Sequence, residues 1–364
     1  MEEQGERAFQ LLFDWYTNAL KALVDAAGQD KAIELLAPYN RNAMVAAYFI
    51  AHDFYQLGKK DLIAWGFIVW NLLFFMTRSP NVRVNIYSNG STCSVIKCPF
   101  KDGPVEHCLL ICGRGPNISL EAFGIDTSSS LVSSISQGDE ECKWISKRRP
   151  VKDPFSMEAM GTHLCTIVPW DVPQQQVDAF SIQYYAEWWV SATRALIDHI
   201  GESDAEAVLR PYMARSGSRY VLRPAPCQEK TTTQATILWH IVQTNELLQM
   251  HSSGTEGDFE RTIIDCPFKE APSTVCKQFE AFCNGICEAI DPSYEFKYDR
   301  MMTNGDKTCH WAIKAKEGAQ KIVNEKAANE DPAMNLALRL SRGQITLEEF
   351  EKTIASLRKH GLIR

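Results

Sequence analysis

Cysteines are the residues of this chain whose type and spacing most directly suggest chemistry. Among its 12 cysteines, some stand in surroundings that occur twice, since Cys98-Pro99-Phe100-Lys101 recurs as Cys266-Pro267-Phe268-Lys269. A second pattern, Gly-Asp-x-x-Cys-x-Trp, is found at 138–144 and again at 305–311. A thiol can act as a nucleophile, as a metal ligand or as a small buried side chain. The recurrence therefore directs the functional question to these thiols.

A helix predicted at about 274–290 places more thiols together. Its apolar stripe has helical spacing, and beside that stripe lie Cys276, Glu280, Cys283 and Cys287. We take Cys266, Cys283 and Cys309 as the candidate catalytic thiols. Glu280 is the candidate general acid or base because it shares the cysteine face of the helix. Buried structural thiols and a solvated helix carboxylate are the alternative interpretation.

Four further residues are candidate contacts for a substrate. Small-molecule pockets are largely apolar and aromatic with a few polar groups, which favours Trp188, Trp239 and Phe268. His310 directly follows Cys309, but neighbours on a strand point to opposite faces. We therefore expect His310 to face away from that thiol, towards solvent or a bound partner. Core packing is the alternative role for the aromatic residues.

Metal ligation is the rival use of the cysteines. Thiolates in this number suit zinc or an iron–sulfur cluster, and Cys276, Cys283 and Cys287 share one predicted helix face. However, the sequence has no Cys-x-x-Cys pair and none of the familiar cluster spacings. We therefore expect no resident cofactor, with a cysteine-bound metal or cluster as the alternative.

Three blocks of sequence occur twice in the same order. Besides the two cysteine patterns, the segment 22–39 is echoed by 195–212. Such a long period is not that of a solenoid, so the sequence predicts two tandem copies of one domain. The boundaries are about 1–150 and 175–316, and a distinct tail occupies 325–364.

Each copy begins with helical periodicity and continues with short β-type segments separated by turns. This order predicts an α+β fold in which a helical layer packs on an antiparallel sheet. The predicted helices lie at about 9–24, 31–36, 43–55, 62–76, 182–200, 231–249 and 274–290. The predicted strands lie at 82–87, 92–97, 117–123, 141–146, 259–265, 294–300 and 309–314.

Composition excludes several classes of protein. The net charge is −7, without a basic stripe, which argues against nucleic acid as the partner. The most apolar run, 62–76, is shorter than the roughly 20 residues that span a bilayer. The acidic N-terminus does not resemble a signal peptide. We therefore expect a cytoplasmic protein whose cysteines stay reduced.

The C-terminal copy resembles the L-2-amino-thiazoline-4-carboxylic acid hydrolase-like family, which is close to the vinyl-reductase-type small-molecule-binding domains. The resemblance rests on Cys266-Pro267-Phe268, Cys283, Asp291-Pro292 and the pattern at 305–311. It is clearest over about 260–315 and, with the upstream helices, extends over most of each copy. It implies an α+β domain with a buried pocket for a small organic molecule. The named activity of the family is the opening of a thiazoline ring by hydrolysis of a C–N bond.

Some vinyl-reductase-type domains also hold a structural zinc, which requires a carboxylate and a cysteine shortly before the last cysteine. In this chain Ser134 and Met301 stand eight residues before the last cysteine of each copy. A zinc of that type is therefore not expected, and the hydrolase branch is the better match.

The tail resembles a SHOCT module, a short helical segment associated with oligomerisation. The resemblance lies at 339–350, and 346–349 also forms a capping box for a predicted helix. It implies a homo-oligomer assembled through 325–364.

Together these features favour a cytoplasmic enzyme that hydrolyses a non-peptide C–N bond in a small heterocycle, with a sulfur-containing ring as one candidate. The second copy is the expected working site because its set of thiols is fuller, and the first copy is expected to be degenerate. One alternative is a non-catalytic small-molecule binder or sensor. The other is a cysteine-ligated metal or iron–sulfur redox protein.

Overall fold

The fold is known from a computed structural model that describes most of the two predicted copies. The described residues are 2–39, 81–102, 105–114, 116–117, 120, 126–149, 157, 160–167, 174–221, 233–254, 259–316, 349, 352–353 and 355–356. The predicted helices at 43–55 and 62–76 and most of the tail lie outside them. The described tail residues are helical. The chain divides into an N-terminal unit, Met1–Gly201, and a C-terminal unit, Glu202–Arg364.

Helices of the N-terminal unit pack around aromatic side chains. Helix α1 is Glu2–Ala27, and it ends at Gly28, which adopts a positive φ of 78°, as residues after a helix commonly do. Helix α2 covers 29–39, and α3, Gln174–Ile200, packs along α1. Trp15 of α1 and Trp189 of α3 are buried with ring centroids 4.7 Å apart. The predicted start of the second copy thus lies in the N-terminal unit.

The sheet of the N-terminal unit has five described strands. They are β1 (Arg83–Tyr87), β2 (Gly90–Val95), β3 (Thr127–Ser133), β4 (Cys142–Arg148) and β5 (His163–Ile167). The order across the sheet is β3-β4-β2-β1-β5, and all pairs are antiparallel.

The strand predicted at 117–123 is wrong, because residues 116–117 and 120 are helical and the strand begins only at Thr127. The prediction follows the apolar residues at 118–123, whereas the strand that forms contains four serines and a threonine beside Leu131 and Val132. Its side chains pair with β4, and Ser146 donates a hydrogen bond to Ser129 over 2.9 Å. Strand β5 was not predicted.

The C-terminal unit combines three helices with a smaller sheet within the described residues. The elements are α4 (Glu202–Tyr220), α5 (Thr233–Leu247), β6 (His251–Ser253), β7 (Glu260–Asp265), α6 (Ser273–Ile290), β8 (Tyr294–Arg300) and β9 (Cys309–Ala315). Helix α4, which was not among the predicted helices, packs closely on α6. A Cβ atom on Gly217 or Gly285 would overlap the backbone of the facing helix, so both glycines are required there. The strand order is β6-β7-β9-β8, again antiparallel.

The two sheets have four strands in a corresponding order. In chain order, β1-β2-β3-β4 of one sheet match β6-β7-β8-β9 of the other, and the third strand lies outside the fourth in both. The register agrees as well, since Val95 pairs with Cys142 and Ile263 pairs with Cys309. Each paired residue lies three positions before the cysteine of a Cys-Pro-Phe segment. The described chain is therefore a mixed α+β structure whose two antiparallel sheets share this strand order.

Within the described residues, no helix combines the length and the apolar character needed to cross a bilayer.

Candidate functional site

A polar groove lies between the two segments of the C-terminal unit that carry the repeated patterns. Its volume is about 550 Å³. One wall follows β7 and the Cys-Pro-Phe segment, and the other is the turn that leads into β9. The lining residues are Ile264, Asp265, Lys269, Glu270, Ala271, Met302, Thr303, Gly305, Asp306 and Lys307. The groove therefore offers charges of both signs, together with Ile264, which is 60% exposed.

The first wall is shaped by a tight turn that begins at Cys266. The amide of Lys269 donates to the Cys266 carbonyl oxygen over 3.3 Å, and Pro267 and Phe268 lie within this turn. The Phe268 amide donates to the Cys266 sulfur, which favours the thiolate, but burial is the larger effect and raises the pKa of Cys266 to about 11. Cys266 is therefore a protonated thiol at neutral pH. Phe268 is buried, as expected for a side chain that anchors the turn.

The second wall is a turn held by Asp306 and Gly305. The Asp306 carboxylate accepts the Met301 amide over 2.9 Å, and Gly305 adopts a φ of 92°. This arrangement presents the Met302 amide to the Cys309 sulfur at 3.1 Å. Burial nevertheless raises the pKa of Cys309, with the Met302 hydrogen bond acting in the opposite direction. Cys309 is thus also held as a thiol.

Helix α6 places a further thiol at the groove. Thr303, which lines the groove, donates its hydroxyl to the Cys276 sulfur over 3.3 Å. Burial raises the pKa of Cys276 to about 12, and Cys309 and Cys266 contribute in the same direction. Cys276 is therefore near both pattern cysteines, and the Thr303 side chain connects it to the groove.

Tyr298 on β8 lies among the same thiols. Burial raises the pKa of its hydroxyl, and smaller increases come from Cys276, Cys283, Cys309 and Cys266. The candidate catalytic thiols are thus brought together around one phenol, and we name this group, Cys266, Cys276, Cys283, Cys309 and Tyr298, the thiol cluster. Sequence reasoning missed Tyr298 and Thr303, because each was an isolated polar residue without a recognised pattern.

Glu280 lies beside this cluster on α6. Its side chain is half-buried, and burial raises the pKa of its carboxyl. Arg210 opposes that increase, and the negative charge of Glu280 in turn raises the pKa values of Cys276 and Cys283. The raised pKa brings this carboxyl closer to the range in which general acids and bases work.

None of the predicted catalytic or contact residues is among the residues that line the groove, and three of the predicted contacts lie in other surroundings. His310 forms a hydrogen bond with Asp299 over 3.0 Å and lies 3.9 Å from Glu260, so it belongs to a polar network on the sheet. Trp239 is half-buried and its ring is 4.9 Å from that of His240. Trp188 is fully buried in the N-terminal unit, with its ring 5.9 Å from that of Tyr16.

The N-terminal unit holds the corresponding patterns in a different chemical setting. The Ile135 amide donates to the Cys142 sulfur over 3.3 Å, and Asp139 accepts the Ser134 amide over 2.7 Å, as in the C-terminal turn. Burial raises the pKa of Cys98 to about 12. The pKa of Cys108 is instead lowered, chiefly by a hydrogen bond from the Cys112 thiol. Cys108 and Cys112 have the same four-residue spacing as Cys283 and Cys287, so spacing alone does not indicate this difference in pKa.

Neither unit presents a metal-binding arrangement in the part of the chain that the structure describes. No group of three or more His, Cys, Asp or Glu side chains there has a geometry that could hold a metal ion. The cysteines among the described residues are free thiols.

Comparisons with known proteins give no relative for this chain, since no protein family, curated protein or solved structure matches it.

Proposed function

We propose that the protein is a small-molecule enzyme that hydrolyses a C–N bond in a small heterocycle at the groove of its C-terminal unit. Support for the class of reaction comes from the resemblance to the thiazoline-carboxylate hydrolase-like family. The corresponding strand order and register of the two sheets support the accompanying proposal that the units are tandem copies of one domain. Free cysteines accord with a reducing, cytoplasmic location.

One observation carries the proposal. The groove is bounded by both repeated patterns, and Thr303 connects its lining to the Cys276 thiol. The segments that recur in the sequence are thus the segments that form a cavity of suitable size for a small molecule. A purely structural repeat would not require its two patterns to border an open groove.

The charges of the lining indicate what the groove would hold. Lys269 and Lys307 offer cationic groups for a carboxylate, and Asp265 and Asp306 offer anionic groups for an amine or a protonated ring nitrogen. Ile264 supplies an apolar contact. A small zwitterionic or carboxylate-bearing heterocycle combines these three features.

Hydrolysis adds the elements of water across the C–N bond, with oxygen to carbon and a proton to nitrogen. We assign the proton transfer to Glu280. The pKa of its carboxyl is raised, and its negative charge in turn raises the pKa of Cys276. Among the thiols, Cys276 is the candidate nucleophile. It must lose its proton to a base as it attacks. If the thiol attacks, water then releases the product from the sulfur and restores the thiol.

A second candidate function, a non-catalytic binder or sensor, is favoured by the raised pKa values of Cys266, Cys276 and Cys309. Thiols that remain protonated at neutral pH are poor nucleophiles. A binder would need them only as polarisable wall atoms beside the groove.

The test is turnover of a panel of small cyclic amidines and thiazoline carboxylates, followed by liquid chromatography and mass spectrometry. We expect product with the wild-type protein and a loss of at least about 100-fold in Glu280→Gln, the range for removing a general acid or base. Cys276→Ala and Thr303→Val test the thiol and its link to the groove. Cys287→Ala is the matched control, since Cys287 is a buried thiol of the same helix outside the thiol cluster.

A stabilising shift in melting temperature without any product would instead identify a binder. Equal turnover by wild type, Glu280→Gln and Cys276→Ala would overturn the assigned roles.

The tail completes the proposal. We infer that 325–364 mediates self-association, on the basis of its SHOCT resemblance. Light scattering of the full chain and of a chain ending at about residue 324 tests this, and an unchanged mass per particle would contradict it.

A further inference from the structure

A buried histidine joins helix α1 to the Cys-Pro-Phe turn of the N-terminal unit. His107 ends a short helical turn, Val105–His107, and is fully buried. The hydroxyl of Tyr16 on α1 lies 2.8 Å from its Nδ1 atom. The Phe100 ring of the Cys-Pro-Phe turn stacks on the imidazole, with ring centroids 3.4 Å apart and an angle of 7° between the planes. Tyr16 and Phe100 are also fully buried, and we name these three side chains the histidine layer.

The second nitrogen of this imidazole has no hydrogen-bond partner. The Nε2 atom of His107 is buried and unpartnered in the described structure, whereas most buried polar atoms have at least one partner. A neutral imidazole has one N–H group, but the imidazolium has two, and both need acceptors. Protonation of His107 would therefore place a charge and an unsatisfied N–H group in the interior, at a much larger cost than that of the neutral ring.

The described side chains around the layer supply no counter-ion. Charged residues next to it along the chain, Asp14, Lys101 and Glu187, are half-buried or exposed, and Glu106 adjoins His107 on a helical turn, where consecutive residues do not face each other. The Phe100 face would attract a cation, but this gain is smaller than the hydration that a fully buried charge loses. The titratable side chains on the elements packed against the layer are neutral at acidic pH; they are Tyr16 on α1, Tyr184 and Tyr185 on α3, and Cys98, Cys108 and Cys112 of the turn and the segment after it.

The C-terminal unit indicates that packing does not require a histidine at this position. His107 lies seven positions after Phe100, and Val275 lies seven positions after Phe268. Val275 is on α6 and is 1% exposed, so the corresponding position is buried but apolar. The imidazole therefore adds a property that an apolar side chain lacks, which is sensitivity to protons.

We propose that the histidine layer is an acid-sensitive latch, which holds α1 on the Cys-Pro-Phe turn at neutral pH and opens when His107 takes up a proton. The proposal stands on the Tyr16 contact, the stacked Phe100 ring, the complete burial and the unpartnered Nε2 atom. It does not depend on the activity proposed for the C-terminal unit. The ring needs no permanent path to solvent, because local opening exposes it transiently and a proton bound in the open state then opposes closure.

The direction of the pH effect follows from linkage. In the open state His107 titrates with its ordinary pKa of about 6.5, whereas burial holds its pKa in the closed state well below that value. The open state therefore binds more protons below about pH 6.5, so opening becomes more favourable as pH falls. Between about pH 7 and pH 5 the ratio of open to closed molecules should rise about 25-fold.

The test is hydrogen–deuterium exchange of the full chain at several pH values in this range, read on peptides by mass spectrometry and corrected for the intrinsic effect of pH on exchange. We expect the protection of peptides from α1 and from 98–112 to fall about 25-fold in the wild type. His107→Phe keeps a planar ring against Phe100, and His107→Val introduces the residue of the corresponding position; both should abolish this fall. His199→Asn is the matched control, because His199 is an exposed histidine on α3 of the same unit, and it should behave like the wild type.

Two results would overturn the proposal. One is protection of α1 in the wild type that does not change with pH, and the other is an equal fall in the wild type and in a folded His107 variant. Deuterium exchange at the Cε1 carbon of histidine, read on the peptide that contains His107, gives a residue-specific titration that needs no variant. In the wild type His107 should titrate at a lower pH than the exposed histidines, and titration at the same pH would contradict the latch.

Discussion

The protonated thiols of the C-terminal unit should make its stability fall steeply with alkaline pH. Cys266, Cys276, Cys283 and Cys287 are each at most 6% exposed, and burial raises the pKa of all four. In the unfolded chain the same thiols ionise at a pKa of about 8.5. Above that pH the unfolded state binds fewer protons than the folded state, so the free energy of unfolding decreases as pH rises.

The magnitude follows from the linkage relation. At about pH 9.5, roughly one unit above the unfolded pKa, each protonated thiol contributes a loss of RT ln(1 + 10), about 1.4 kcal/mol. Four such thiols give about 5 to 6 kcal/mol. A typical domain has only about 5–15 kcal/mol of stability in total, so the C-terminal unit should be close to unfolding at that pH. Below about pH 7.5 the four thiols should contribute almost no pH dependence.

The assay is urea unfolding of the full chain, followed by circular dichroism at a series of pH values. Cys276→Ala removes one ionisable group, so its free energy of unfolding should fall by about 1.4 kcal/mol less than that of the wild type between about pH 7.5 and 9.5. The cavity left by the substitution lowers stability by the same amount at every pH. It therefore does not affect the slope of the free energy of unfolding against pH, which is the quantity compared. Identical slopes for wild type and Cys276→Ala would refute the reasoning, since they would mean that the buried thiol ionises equally in both states.

Two further predictions concern packing and hydrogen bonding. Gly285→Ala should destabilise the C-terminal unit by about 1–3 kcal/mol or more, because its Cβ would overlap the Ala214 carbonyl oxygen on the facing helix; a chemical denaturation midpoint equal to wild type would contradict this. Trp144→Phe should cost about 1–3 kcal/mol, since it leaves the Cys112 carbonyl oxygen without its indole donor. Trp311→Phe is the matched control, because the Trp311 indole N–H is buried without a hydrogen-bond partner in the described structure, and thermal melting should separate the two variants.

Local pattern was sufficient to predict the elements that have a single apolar face. Helices α1 and α6 and strands β1, β4 and β9 lie close to their predicted positions, because side-chain periodicity and burial agree in each of them. Strand β3 was missed because its serines carry little apolar signal. Helix α4 was missed because Pro211 lies within it and because its burial against α6 depends on a glycine contact between distant segments.

The candidate site was predictable in part for the same reason. The repeated patterns identified Cys266 and Cys309, and helical spacing identified the stripe that includes Cys283 and Glu280. Ionisation states were beyond the sequence, because they depend on burial and on donors that arrive from other segments. Thr303 is such a donor in one unit. For the same reason, the cysteine whose pKa is lowered, Cys108, lies in the unit that the sequence favoured less.

Turnover in water enriched in oxygen-18 tests the central claim, C–N bond hydrolysis at the C-terminal groove, most directly. The heterocycle that gives the largest stabilising shift in melting temperature would be incubated with the full chain, and the product mass would be measured. The account predicts a ring-opened product that contains one heavy oxygen, with formation lost in Glu280→Gln and retained in Cys287→Ala. A ligand that stabilises the protein but is recovered unchanged, without heavy oxygen, would contradict hydrolysis and leave the groove as a binding site.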